Sequence, residues 1–188
     1  HRRKGYYLYR DQKNWFSNPE ILALAKILLE SRDFTKEEMN QLLDKIVMQS
    51  NLAERRNIKE LIQNERYHYI PVKHQQALFT RIWEISEAVR QQVMIQIRYN
   101  RIGDQQIIER QLEPLGLIFS EYYFYLVAYI HDSNYEYPAI YRLDKIIDHR
   151  VSDEHFYVSY EQRFQEGELR KRIQFMQSSS LIKLRLRF

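Results

Sequence analysis

The hydrophobic pattern of this chain changes period once, at Val93, and that change limits what it can fold into. Before Val93 the apolar residues recur at helical spacing; after it they alternate. Asn18, Pro19 and Glu20 open the first helix as cap, first helical residue and acid at the positive end. Ile21, Leu22, Leu24, Ala25, Leu28 and Leu29 form its stripe. Thr35 and Glu38 have capping-box spacing for a second helix, with Met39, Leu42, Leu43, Ile46 and Val47 on one face. Asn51 and Glu54 open a third in the same way, carrying Ile58, Leu61 and Ile62. Residues 75–92 place Leu78, Ile82, Ile85 and Val89 on a fourth stripe.

Beyond Val93, residues 93–99 alternate, residues 100–104 supply a turn, and residues 106–112 return until Glu113 and Pro114 end the run. Residues 116–119, 122–130, 137–143 and 145–148 complete about five strands, as in a small barrel or strongly bent sheet. Residues 5–9 read as a short strand or arm, and 161–177 as a mixed segment with a short helix. Residues 181–188 alternate strictly, and a terminal strand needs a partner, so a further module is expected to begin there. The first residue is His1 rather than Met, which leads us to expect a piece of a longer protein.

Composition removes several classes. With 44% hydrophobic and 29% charged residues, the chain reads as soluble and globular. Zero cysteines exclude disulfides, thiolate metal sites and cysteine nucleophiles, and suit a reducing cytoplasm. The longest apolar candidate, 21–29, is too short to span a membrane. The 4 glycines are too dispersed for a phosphate-cradling loop. The 6 histidines show no helical ligand spacing; His149 and His155, which flank Asp153 and Glu154, read as hairpin-loop residues rather than a metal site. Glu109 and Glu113 read as surface charges. No cofactor and no enzymatic activity are expected. The net charge of +4 is gathered partly at the two ends, around Arg2 to Lys4, Arg170 to Arg172 and Lys183 to Arg187.

The run 122–130 carries the chemistry. As a strand it places Tyr123, Tyr125, Val127 and Tyr129 on one face and Tyr122, Phe124, Leu126, Ala128 and Ile130 on the other. The second set is a core face, whereas the first is amphipathic and its hydroxyls need partners if buried. Arg142 shares a strand face with Ile140, so it either pairs with Asp144 or Asp148 or is aimed at an anionic ligand. Tyr99 and Arg110, at the ends of neighbouring strand patterns, pose the same choice.

Four blocks in this half resemble the WYL domain of bacterial transcriptional regulators, named for a Trp-Tyr-Leu triplet. They are Ile97 to Tyr99, Arg110 to Gly116, Phe124 to Ala128, and Tyr141 to Ile146, in matching order and spacing over residues 93–151. Phe124 stands at the name-giving Trp, and Lys145 stands where the family usually has Arg. The resemblance implies an α+β chain whose regions are the end of a wing or arm (1–15), a helical dimerisation linker (16–92), a WYL domain with an Sm-like or SH3-like barrel (93–155), and a linker into a C-terminal extension (156–188). It implies DNA binding through an N-terminal winged helix-turn-helix, a homodimer, and a barrel that senses a nucleotide or single-stranded nucleic acid. Tyr99, Arg110, Phe124, Tyr125, Arg142 and Lys145 are the implied ligand contacts. The alternative is a purely structural dimerisation module without its own ligand.

Overall fold

The computed structural model describes residues 16–71, 77–101, 103, 106–134 and 137–158. The expected arm at 5–9, the segment 161–177 and the strand 181–188 lie outside these. The chain divides into two units, His1–Glu30 with Lys36–Ile70, and Ser31–Thr35 with Pro71–Phe188.

The first unit is built from three helices, α1 (Asn18–Glu30), α2 (Lys36–Met48) and α3 (Arg55–Tyr67), each packing on the other two. Ile21, Ala25, Met39, Leu43, Val47, Ile58 and Ile62 are buried as their stripes predict, whereas Leu61, read as part of the third stripe, is 59% exposed. Ser17, not Asn18, caps α1. Its carbonyl accepts the Ile21 N–H at 3.0 Å, while Glu20 Oε2 accepts the Ser17 N–H at 2.6 Å and its hydroxyl at 2.7 Å. This one-sided version of a capping box moves the cap one residue earlier. The third helix begins at Arg55, because the Asn51 side chain accepts the Ala53 N–H at 3.3 Å and forms a local turn first. Arg66 ties α3 to α2 through a fork onto Asp44, at 2.8 and 3.0 Å, and a bond to Asn40 at 2.7 Å.

In the second unit α4 (Phe79–Gln91) lies against an antiparallel sheet. Gln92 ends this helix in the left-handed region, at φ 54°, and turns the chain straight into β1 (Val93–Asn100). The remaining strands are β2 (Ile107–Ser120), β3 (Tyr123–Ile130), β4 (Ala139–Arg142) and β5 (Ile146–His155), in the order β4-β3-β2-β1-β5. Leu78, Ile85 and Ala88 are buried in one core with Ile95, Ile97, Leu112, Leu126, Tyr141, Leu143 and Ile146. At roughly 2 kcal/mol per fully buried aliphatic side chain, that core is what holds α4 on the sheet.

Three expectations change here. Pro114 does not end a strand: β2 runs through it, with a register shift between Pro114 and Gly116. A proline at a bulge removes no ladder hydrogen bond that the strand requires. The first half of β2 pairs with β1 and the second with β3, so Leu112 faces both Ile95 and Ile130. Second, His149 and His155 are strand residues, not a hairpin loop, because β5 continues along β1 to the pair Val93 and His155. Third, the expected barrel is not closed by hydrogen bonds. β4 and β5 are the two edges of the sheet, yet only the 3₁₀ turn η1 (Leu143–Lys145) separates them in sequence. The sheet therefore curls until its edges meet at that corner. There the Leu143 carbonyl takes the Arg81 guanidinium at 3.0 Å rather than a partner strand.

Candidate functional site

The alternation of β3 sorts its aromatics. Phe124, Leu126 and Ala128 face the core shared with α4, whereas Tyr123, Tyr125 and Val127 face the other side with Ile118 and Ile140. Pairing of β3 with β4 sets Arg142 opposite Tyr125. The Arg142 guanidinium lies 3.7 Å from the centre of the Tyr123 ring and forks onto Asp144, Nε to Oδ1 at 2.9 Å and Nη2 to Oδ2 at 2.7 Å. The Asp144 side chain is fully buried, and that of Arg142 is 20% exposed. Burial opposes the charge on Arg142, but the Asp144 carboxylate more than offsets it, so the guanidinium is held charged more firmly than a free one. Of the two roles left open for Arg142, the structural ion pair with Asp144 is formed.

Two phenols border this cation. Tyr125 is 7% exposed, and burial raises its hydroxyl above the ordinary range against the pull of Arg142. Tyr99 is 6% exposed and packs edge-on to Tyr141 at 5.0 Å. Burial raises its pKa too, opposed by a hydrogen bond with the Arg142 backbone. Both remain neutral at physiological pH and offer a hydroxyl and a ring rather than a charge.

Of the six residues singled out in the sequence, Tyr125 and Arg142 are paired across β3 and β4, and Tyr99 meets the Arg142 backbone from the core side, where its ring packs with Tyr141. Lys145 lies at the end of η1, half-buried, without an ion pair among the described residues. Phe124 is on the opposite face, 4.9 Å from the Phe119 ring and 5.7 Å from Phe34. Arg110 is exposed and opposite Ile97, away from Arg142. It lines a groove of about 400 Å³ that crosses β2, β1 and β5, with Gln96, Arg98, Asp148 and Arg150. Arg98 there faces Glu109 at 3.6 Å.

Sequence reasoning did not assign roles to Tyr123 or to the segment Arg32, Asp33, Phe34. Tyr123 was within reach, since strict alternation puts it on the face of Tyr125. The segment carries no local signal, because its partners are some ninety residues away. Among the described residues no cluster of His, Cys, Asp and Glu suits a metal ion, and no helix is long and apolar enough to cross a membrane. His149 is instead bonded to Glu84 of α4 at 2.9 Å.

Residues 82–151 match the WYL domain family, a span running from within α4 into β5. Among solved structures, proteasome accessory factor B/C (PafBC) of Arthrobacter aurescens is similar at 18% identity with a TM-score of 0.37, over 74% of this chain and 21% of that chain. The chain thus spans about a fifth of the length of that protein. No curated protein matches it.

Proposed function

We propose that residues 82–151, which match the WYL domain family, form the effector-sensing core of a bacterial, cytoplasmic DNA-binding regulator that acts as a homodimer. On this reading DNA is contacted through an N-terminal winged helix-turn-helix, and the effector is a nucleotide or short single-stranded nucleic acid. The curled sheet serves as an SH3-like barrel in this role, and its work is binding rather than catalysis. The observation that carries the reading is the arginine fork stacked on an aromatic ring. Two N–H groups of Arg142 are held by Asp144, which orients the guanidinium plane and leaves its other donors for an anion. Tyr123 beside it offers a ring suited to a base, and the buried Tyr125 a hydroxyl. Binding would shift the balance between two arrangements of the helices that carry the DNA-binding heads.

The completed ion pair also favours a second reading, a structural module without a ligand, since Arg142 already has a buried acid. Fluorescence anisotropy with a labelled single-stranded oligonucleotide of about ten nucleotides separates the two. The sensing reading expects binding that weakens steeply from about 50 to 200 mM salt. Arg142→Lys, which keeps charge but loses the fork, should weaken it several-fold. Weakening by Arg110→Ala alone would move the ligand to the groove and overturn the assignment to Arg142. No binding at low salt would favour the structural module.

A further inference from the structure

Helix α1 ends at Glu30 and α2 begins at Lys36, but the residues between them, Ser31–Thr35, belong with the sheet unit. A helix connection of this length is ordinarily a solvated turn. Here Ser31, Asp33 and Phe34 are 4%, 0% and 6% exposed. Asp33 Oδ2 accepts the Phe124 N–H at 2.5 Å, and the Arg32 N–H donates to the Tyr122 carbonyl at 3.2 Å. The Arg32 guanidinium sits 4.7 Å from the centre of the Tyr122 ring. Phe34 meets Phe124 edge-on at 5.7 Å and Phe79 at 5.2 Å. Three consecutive side chains thus engage a ring, an amide and an aromatic slot of one hairpin. A fully buried carboxylate is costly unless bonded, and a simple connector has no need of one.

The hairpin held in this way is locally unfavourable. β2 and β3 are joined by Glu121 and Tyr122, whose φ angles are 46° and 76°. Turns with positive φ at both centres favour Asn-Gly and its relatives, because a Cβ in the left-handed region is strained. The carbonyl and the ring that Arg32 engages both belong to the strained Tyr122. Docking and strain are therefore linked: the segment stabilises a turn that its own residues disfavour.

We propose that the β2–β3 hairpin is a recognition site for the Arg32, Asp33, Phe34 segment, and that this segment is the element through which the state of the WYL domain reaches α1 and α2. The second half rests on the regulatory reading above. The first does not. Phe124, at the name-giving position of the family, then acts as the receptor of the segment: its amide and its ring are both occupied by it. Loss of the contact frees the hairpin turn and the facing ends of two helices in one event.

Amide hydrogen exchange on the full chain, without any nucleotide, tests this. Asp33→Ala with Phe34→Ala should raise exchange at Tyr123 and Phe124 by about tenfold or more, together with the last turn of α1 and the first of α2. The β1–β5 ladder should stay protected. No change at the hairpin, or an equal rise everywhere, overturns the proposal. Adding Glu121→Asn and Tyr122→Gly should restore protection at Tyr123, but not at Phe124, whose acceptor is gone, nor at the helix ends; failure to restore it at Tyr123 refutes the link to turn strain. Finally, a peptide of residues 29–37 should protect Phe124 saturably in a chain carrying Arg32→Gly, Asp33→Ser and Phe34→Gly, and the same peptide with Asp33→Ala should not. Absence of that protection removes the recognition site. Since no effector is present, failure here leaves the sensing reading standing, and failed nucleotide binding leaves this proposal standing.

Discussion

Replacing Arg142 by methionine isolates the energetics of its pair with Asp144. Methionine keeps most of the volume and the contact with the Tyr123 ring. It strands a carboxylate whose side chain is fully buried and whose two bonds, 2.9 and 2.7 Å, came from the lost guanidinium. Leaving one member of a buried pair unpaired costs about 3–5 kcal/mol. Because Arg142 keeps 20% exposure, the lower half of that range applies. For a chain of this size each kcal/mol lowers Tm by about 2–4 °C, so the melt should fall by roughly 6–16 °C. Substituting both residues, Arg142→Met with Asp144→Leu, removes the stranded charge and should recover at least about 2 kcal/mol of the single loss. Urea denaturation of the four proteins of the cycle, with m-values compared, is the assay. A single-mutant cost below about 1 kcal/mol is the value of an exposed pair and would refute the argument. So would a double mutant no better than the sum of its parts.

Two further outcomes follow from the geometry. The hydrogen bond from His131 to Glu113 at 2.8 Å, with Asp132 adding and burial opposing, holds the imidazole pKa above its ordinary 6.5. Its stabilisation is full below that value and is lost as pH rises through the folded value, so Glu113→Gln should flatten the fall in Tm above pH 6.5; an unchanged profile argues against it. On α4, Ile85 is fully buried and Trp83 is 69% exposed. Ile85→Ala should therefore cost about 2–4 kcal/mol in urea and Trp83→Ala under about 0.5, and equal costs would contradict the described face of the helix.

What the sequence made legible was whatever repeats locally. The stripes of α1, α2 and α3 and the two faces of β3 follow from period alone, and the buried sets agree with them except at Leu61, which period places beside Ile58 and Ile62 but which is exposed. Caps moved by one turn or less, because Glu20 accepts the Ser17 N–H and hydroxyl and Asn51 takes the Ala53 N–H into a local turn. Proline read as a stop at position 114 because register shifts leave no trace in composition. The extension of β5 answers to β1, whose free edge draws it onward, and no local pattern in residues 149–155 announces that. The site divides on the same line. Tyr125 and Arg142 are set together by strand pairing, and Asp144 is two residues from Arg142, so proximity in sequence pointed to it. Arg110 resembles them in motif, yet register sets it opposite Ile97 and into a separate groove. Alternation assigns a face along one strand but not the neighbour across the ladder.

The order β4-β3-β2-β1-β5 also bears on how such chains avoid each other. Each terminal strand presents a row of unused backbone donors and acceptors, a template on which a second molecule can add a strand. Among the described residues, β4 offers only Ala139–Arg142, too short a ladder to hold a stranger. The longer β5 bears Asp148, Arg150, Asp153 and Glu154, all four exposed. A partner strand laid along it would have to bring those charges into register with its own. Among the described residues, the short edge and the charged edge thus guard against runaway sheet growth.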